Sequence, residues 1–397
     1  MKQKWKSFDF TLAIIPLLLP AFGIVMIYSA SMVVAVVTYD VPSNYFMMKQ
    51  LQWYILGLLG FFFCSFFSYH RYQDIMKFII FSMIILLLLV LLVGEEVNNA
   101  QSWIKVGPFR FQPAEFVKLG LILYLASIYS KKQSYIFDFT KAVLPPLILT
   151  GLLLALIVLQ PDLGTAAIIF LIACSVIFSS GIKFRHLSFL VMTGMLLIIL
   201  VATQMITDER LERFTGAYQP FEDPEDSGYH LIQSYLAIGT GGWTGQGLGQ
   251  GVQKLGYLTE PHTDFIMAVI AEELGFIGVF IVIGFLAIIV LRGLYISNRC
   301  KDSFGSLLAI GISSMVGIQV FINLGAISGI LPITGVPLPF ISYGGSSLFI
   351  LMLSMGILNN IARKVKVNEL RRFEKERPDD EIVDDIAGMR NRKSWSN

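Results

Sequence analysis

Ten apolar runs constrain the fold of this chain more than any other feature. They fall at 10–37, 50–68, 75–93, 113–130, 142–159, 164–180, 187–206, 264–292, 304–328 and 344–362. Each is close to the ~20 residues that an α-helix needs to cross a bilayer. The expected fold is therefore an all-α polytopic membrane protein with about ten transmembrane helices. Composition agrees, with 55% hydrophobic and only 15% charged residues among 397. The basic start, MKQKWKSFDF, precedes the first run and lacks a small-residue cleavage site. It reads as the flank of a first span and not as a removed signal. Cys64, Cys174 and Cys300 are scattered in or beside apolar runs, which suits neither a disulfide framework nor a metal site.

Lys and Arg orient the spans, because cytoplasmic flanks carry the excess. With the N-terminus inside, 23 of the 30 fall on the cytoplasmic side. The other side keeps Lys49, Lys105, Arg110, Lys118, Arg210, Arg213 and Lys254. Both termini are thus expected in the cytoplasm of a multi-pass membrane protein. Residues 1–365 form one membrane domain. The charged tail 366–397 has few apolar residues, and disorder is expected there. Arg363, Lys364 and Lys366 are expected at anionic lipid headgroups.

This orientation leaves four segments outside: 94–112, the turn at 160–162, a large loop at 207–263 between spans 7 and 8, and 329–343 before span 10. A structureless connection of more than 50 residues is uncommon, so the large loop should carry a role. Its Gly-rich run, GTGGWTGQGLGQG, lacks phosphate-loop chemistry. It reads either as backbone passing close to something bulky or as flexible filler. The segment 329–343, with Pro332, Pro337 and Pro339, is too apolar for a solvated loop and too broken for a helix. A re-entrant loop packed on the bundle is expected.

Five constellations could carry chemistry. Glu260-Pro-His262-Thr-Asp264 stands where the large loop enters the eighth span. Ionisable groups at a bilayer boundary are functional candidates by default, although Asp264 could simply cap the helix. Arg110, Glu115 and Lys118 surround the start of the fourth span. Glu115 and Lys118 are three apart and could form a structural pair, while cations at this level would suit an anionic pyrophosphate. Asp162, in QPDLGT, is an N-cap or a site residue. The Gly-rich run is the fourth. The fifth is PLPFISYGGSS, whose Ser342 and Ser346 hydroxyls could line a site. Glu272 and Glu273 fall about 12 Å beyond Asp264 along a continuous helix. They are expected to bond a partner inside the bundle.

The motifs RFQPAEFVK (110–118), QPDLGT (160–165), GLGQGVQKLGYLTEPHTDFI (247–266), AEELG (271–275) and PLPFISYGGSS (337–347) together resemble the FtsW/RodA/SpoVE family, the SEDS proteins. YFMMKQLQW (45–53) looks most like the FtsW, cell-division branch. The resemblance implies a peptidoglycan glycosyltransferase at the outer face of the cytoplasmic membrane, acting at the division septum. Its substrate would be lipid II, a disaccharide-pentapeptide on undecaprenyl pyrophosphate. Its partners would be a class B penicillin-binding protein and other division proteins. Asp264 falls on the family's essential acid, Arg110 and Lys118 on its cations, and Glu115 on its motif acid. Glu260, His262, Asp162, Ser342 and Ser346 would complete a substrate site. Gly256 and Thr259 depart from the usual pattern and put a second loop acid in doubt. The activated donor needs no nucleotide; a divalent cation, magnesium or manganese, is left open. No nucleic-acid partner is expected. The rivals are a lipid II flippase and a non-enzymatic division scaffold. Cations crowded at one boundary fit these less well than they fit an enzyme.

Overall fold

The computed structural model describes residues 9–97, 100–107, 109–186, 188, 190–192, 194–195, 216–225 and 228–376. Helices occupy nine of the ten expected spans: α1 (Phe10–Val37), α2 (Tyr45–Phe66), α3 (Met76–Val93), α4 (Pro113–Lys131), α5 (Leu144–Val158), α6 (Leu163–Ser179), α8 (Ile266–Arg299), α9 (Ser303–Ile327) and α10 (Gly345–Glu376). The expected span 187–206 lies largely outside the described residues. Among the described residues, six helices are long and apolar enough to cross a membrane, and α6 is a shorter apolar helix. The last helix runs to Glu376, so the start of the expected disordered tail is helical. Residues 377–397 lie outside the described residues.

Local chemistry explains the helix starts. Asp9 accepts from the Leu12 amide and caps α1. Asp162 caps α6 through the Thr165 amide, and Asp302 caps α9 through Gly305. Pro113 occupies the first turn of α4, where its missing N–H costs nothing.

One feature lay outside the sequence reading. The segment after α3 forms a three-stranded antiparallel sheet, β1 (Glu95–Val97), β2 (Ala100–Val106) and β3 (Phe109–Phe111), in that order. The large loop contributes α7 (Tyr229–Gly241), which packs against α8.

The eighth span is not continuous. Gly275 has φ 65° and ψ −164°, which divides α8 into a short first piece, 266–274, and a long piece, 276–299. At 1.5 Å per residue the long piece extends about 36 Å and can cross a bilayer alone. The Gly-rich run is pressed into this break. Gln246 and Gly247 donate main-chain bonds to the carbonyls of Glu272 and Glu273. Phe276 and Ile277 donate to Gly242 and Trp243. A Cβ on Gly245, where φ is +79°, would lie 2.1 Å from the Glu273 carbonyl oxygen. The run is therefore backbone in close approach, not filler.

The second half of the segment 329–344 is packed against the bundle helices. Val336, Leu338, Phe340 and Ile341 are all buried. Its residues 340–341 lie against Gly23, near the middle of α1, where an added Cβ would meet the Ile341 carbonyl at 2.8 Å. Gly164, in the first turn of α6, meets the Thr334 carbonyl at the same distance.

Candidate active site

The loop before α8 places Asp264 at the meeting point of three elements. The turn 261–265 precedes the helix, and Phe265 holds the N-cap position without a side-chain cap. Asp264 is thus not the helix cap. What holds its peptide instead is a set of donors from elsewhere. Tyr343 N–H donates to the His262 carbonyl at 2.9 Å. Ser342 Oγ donates to the Thr263 carbonyl at 2.6 Å. Asn323 Nδ2, from α9, donates to the Asp264 carbonyl at 2.9 Å. Three consecutive carbonyls are therefore fixed by α9 and the loop that follows it. The Asp264 carboxylate is partly exposed. It faces Gly335, where an added Cβ would lie 3.8 Å from Oδ2.

His262 is buried against Phe46, with ring centroids 4.3 Å apart, and lies 5.6 Å from the Tyr343 ring. Burial pushes its pKa down to about 4, while the nearby Glu260 carboxylate pulls the other way. The ring is neutral at pH 7 and offers no cation to an anionic substrate. Glu260 holds a left-handed backbone, φ 48°, and accepts from Thr263 Oγ1 at 2.7 Å. That bond braces the turn leading to Asp264.

The cations divide into two kinds. Arg110, on β3, is exposed, with its Nε 3.2 Å from Glu95. It stands opposite Lys105 in the sheet, whose Nζ is 3.9 Å from the same carboxylate. Like charges directly opposite are unfavourable, and the Glu95 carboxylate between them offsets that repulsion. Arg110 also lowers the Tyr343 phenol, which burial drives up to about 12. Lys118 is different. It is buried and bonds both Glu115 oxygens at 2.8 Å. The expected level shared by Arg110, Lys118 and Asp264 thus separates into an exposed cation and an enclosed ion pair.

Asp162 is committed to the fold: besides capping α6, it accepts from Gln112 Nε2 at 3.2 Å and Ser102 Oγ at 3.4 Å. Ser342 and Ser346 are buried. Ser342 tethers the turn, as above, and accepts from Leu338 N–H at 2.8 Å. Ser346 accepts from Gln112 N–H at 3.4 Å. Their hydroxyls serve main-chain partners. Among the described residues, no three His, Cys, Asp or Glu side chains gather as a set of metal ligands.

Sequence reasoning passed over Gln50, Asn323 and the buried partners of Glu272 and Glu273. Gln50 clamps the loop end, donating to the Ser342 carbonyl and accepting from Gly344 N–H, each at 3.2 Å. Glu272 accepts from the Val252 and Gln253 amides. Glu273 accepts from Lys254, Ser29 and the Gly249 amide. A polar amide inside an apolar span was the available signal for Asn323.

The cell cycle protein family FtsW/RodA/SpoVE matches residues 10–367. A "Probable peptidoglycan glycosyltransferase FtsW" of Bacillus subtilis (strain 168) is 49% identical, over 93% of this chain and 94% of its own length. "Stage V sporulation protein E" of the same organism is 40% identical, over 91% and 99%. Among solved structures, a chain from a peptidoglycan synthase complex that coordinates polymerization and crosslinking superposes with a TM-score of 0.72 at 30% identity, covering 90% of this chain and 98% of that one. The rod shape determining protein RodA of Thermus thermophilus gives 0.67 at 30% identity, covering 90% and 97%.

Proposed function

Because the chain belongs to the FtsW/RodA/SpoVE family of cell cycle proteins, we infer that it is a peptidoglycan glycosyltransferase. It polymerises lipid II into β-1,4 glycan strands during cell-wall synthesis. Asp264 acts as the general base. It takes the proton from the acceptor GlcNAc 4-hydroxyl as that oxygen attacks the MurNAc anomeric carbon with inversion. Arg110 meets the departing undecaprenyl pyrophosphate, where a guanidinium can bond two phosphate oxygens at once. The buried Glu115–Lys118 pair and Asp162 shape the rim that places these two groups. If a divalent cation takes part, Asp264 and the pyrophosphate oxygens are the groups that would share it.

One observation carries this reading: a partly exposed carboxylate on a main chain held by three outside donors. A held acid is what proton removal needs. The chain works at the division septum, with a class B penicillin-binding protein, and with both termini in the cytoplasm. Purified protein reconstituted with that partner and lipid II should make glycan polymer. Movement of lipid II across liposomes with no polymer formed would instead establish a transporter.

A further inference from the structure

Asn323 is buried in α9, four residues before the helix ends at Ile327. Its amide nitrogen lies 2.9 Å from the Asp264 carbonyl oxygen and 2.8 Å from that of Val336. Both partners are acceptors, so the NH2 group must face them; the reverse orientation would set three oxygens against one another. One side chain thus uses both its donor hydrogens to fix the separation of two main-chain segments. The first carries Asp264. The second, residues 334–336, is the strip of backbone that the Asp264 carboxylate faces across Gly335.

The neighbouring tethers do not duplicate this. Tyr343 and Ser342 hold the carbonyls of residues 262 and 263, upstream of the acid. Ser342 thus holds the peptide that enters Asp264, and Asn323 alone among these donors holds the peptide that leaves it. Release of that second hold would let residue 264 shift along the strip, and a displacement of about 1 Å in a reacting group can cost 100-fold in rate.

We propose that Asn323 is a positioning residue for the glycosyl transfer: its two donated bonds hold the Asp264 carboxylate at the angle from which it removes the acceptor proton. The proposal rests on Asp264 being the base. Asn323 touches no substrate, so its loss should lower kcat and leave KM nearly unchanged.

The test uses the full chain with its penicillin-binding partner and lipid II, comparing wild type, Asn323→Ala, Asn323→Asp and Asp264→Ala. Asn323→Ala should lose at least tenfold in kcat, with KM within twofold and the thermal midpoint close to wild type. Asn323→Asp keeps the volume but turns an acceptor toward the two carbonyls, and should lose at least as much. Wild-type kcat in Asn323→Ala beside an inactive Asp264→Ala would overturn the positioning role and leave the base intact. A raised KM at unchanged kcat would overturn it too, as would failure of both Asn323 variants to fold, which would make the residue purely structural. An active Asp264→Ala would remove the base, and this proposal with it.

Discussion

Lys254 donates to Glu273 in a pocket that leaves the two side chains 1% and 0% exposed. Ser29 of α1 completes the cluster, accepting from Lys254 at 2.8 Å and donating to Glu273 at 2.8 Å. The ion pair closes the chain from 254 to 273 into a loop, and Asp264 lies midway round it. Glu273, expected to bond a partner inside the bundle, finds it in Lys254 and forms the base of the loop that presents the candidate catalytic residue.

Removing one partner should therefore cost more than removing both. Lys254→Met strands a buried carboxylate, a change worth about 3–5 kcal/mol of stability. The double variant Lys254→Met/Glu273→Gln removes both charges and should recover most of that loss. Thermal unfolding in detergent measures the difference; a double variant no better than the single would show that charge pairing is not what holds the loop.

Gly275 and Gly249 separate backbone strain from collision. Both have positive φ, but an added Cβ at Gly275 would lie 2.4 Å from the Gly245 nitrogen, whereas nothing lies within 4 Å of one at Gly249. Gly249→Ala should cost only the strain of a left-handed residue, about 1 kcal/mol. Gly275→Ala should cost clearly more and prise the Gly-rich run from the break in α8. Equal losses in a thermal melt would refute this account of the break.

Stability should fall on mild acidification through His262. Its folded pKa, about 4, is below its ordinary value of 6.5. The unfolded chain then binds more protons between these limits, so stability is full above pH 6.5 and declines as pH drops toward 4. The contribution reaches about 3 kcal/mol at most. His262→Phe should flatten the change in thermal midpoint between pH 7.5 and 5. An unaltered slope would assign that sensitivity to other groups.

Arg110→Ala should leave stability almost untouched, since an exposed ion pair contributes about 0–1 kcal/mol. It should lower kcat/KM for lipid II about tenfold, and Arg110→Lys should recover only part, because an ammonium lacks the planar fork. Kinetics equal to wild type would remove Arg110 from the site.

The helices and the order of the site motifs were legible in the sequence because apolar length and capping residues are local signals. Asp9, Asp162 and Asp302 each announce a helix start within three residues. The Gly-rich run announced close approach, but not to what. The tethers were not legible, because they join distant positions: Ser29 meets Glu273 across 244 residues and Gln50 meets Ser342 across 292. The turn at 261–265 also moved the helix start past Asp264, so the capping alternative for Asp264 gave way to a residue held by outside donors.

The central claim is that Asp264 removes the acceptor proton. Single-turnover polymerisation of lipid II by Asp264→Asn, beside its penicillin-binding partner, tests it most directly. The variant keeps the shape of the side chain and the carbonyl gripped by Asn323, but loses the base. A drop of about 100-fold or more in the chemical step, with lipid II binding retained, is the predicted result. Polymerisation at the wild-type rate would contradict it.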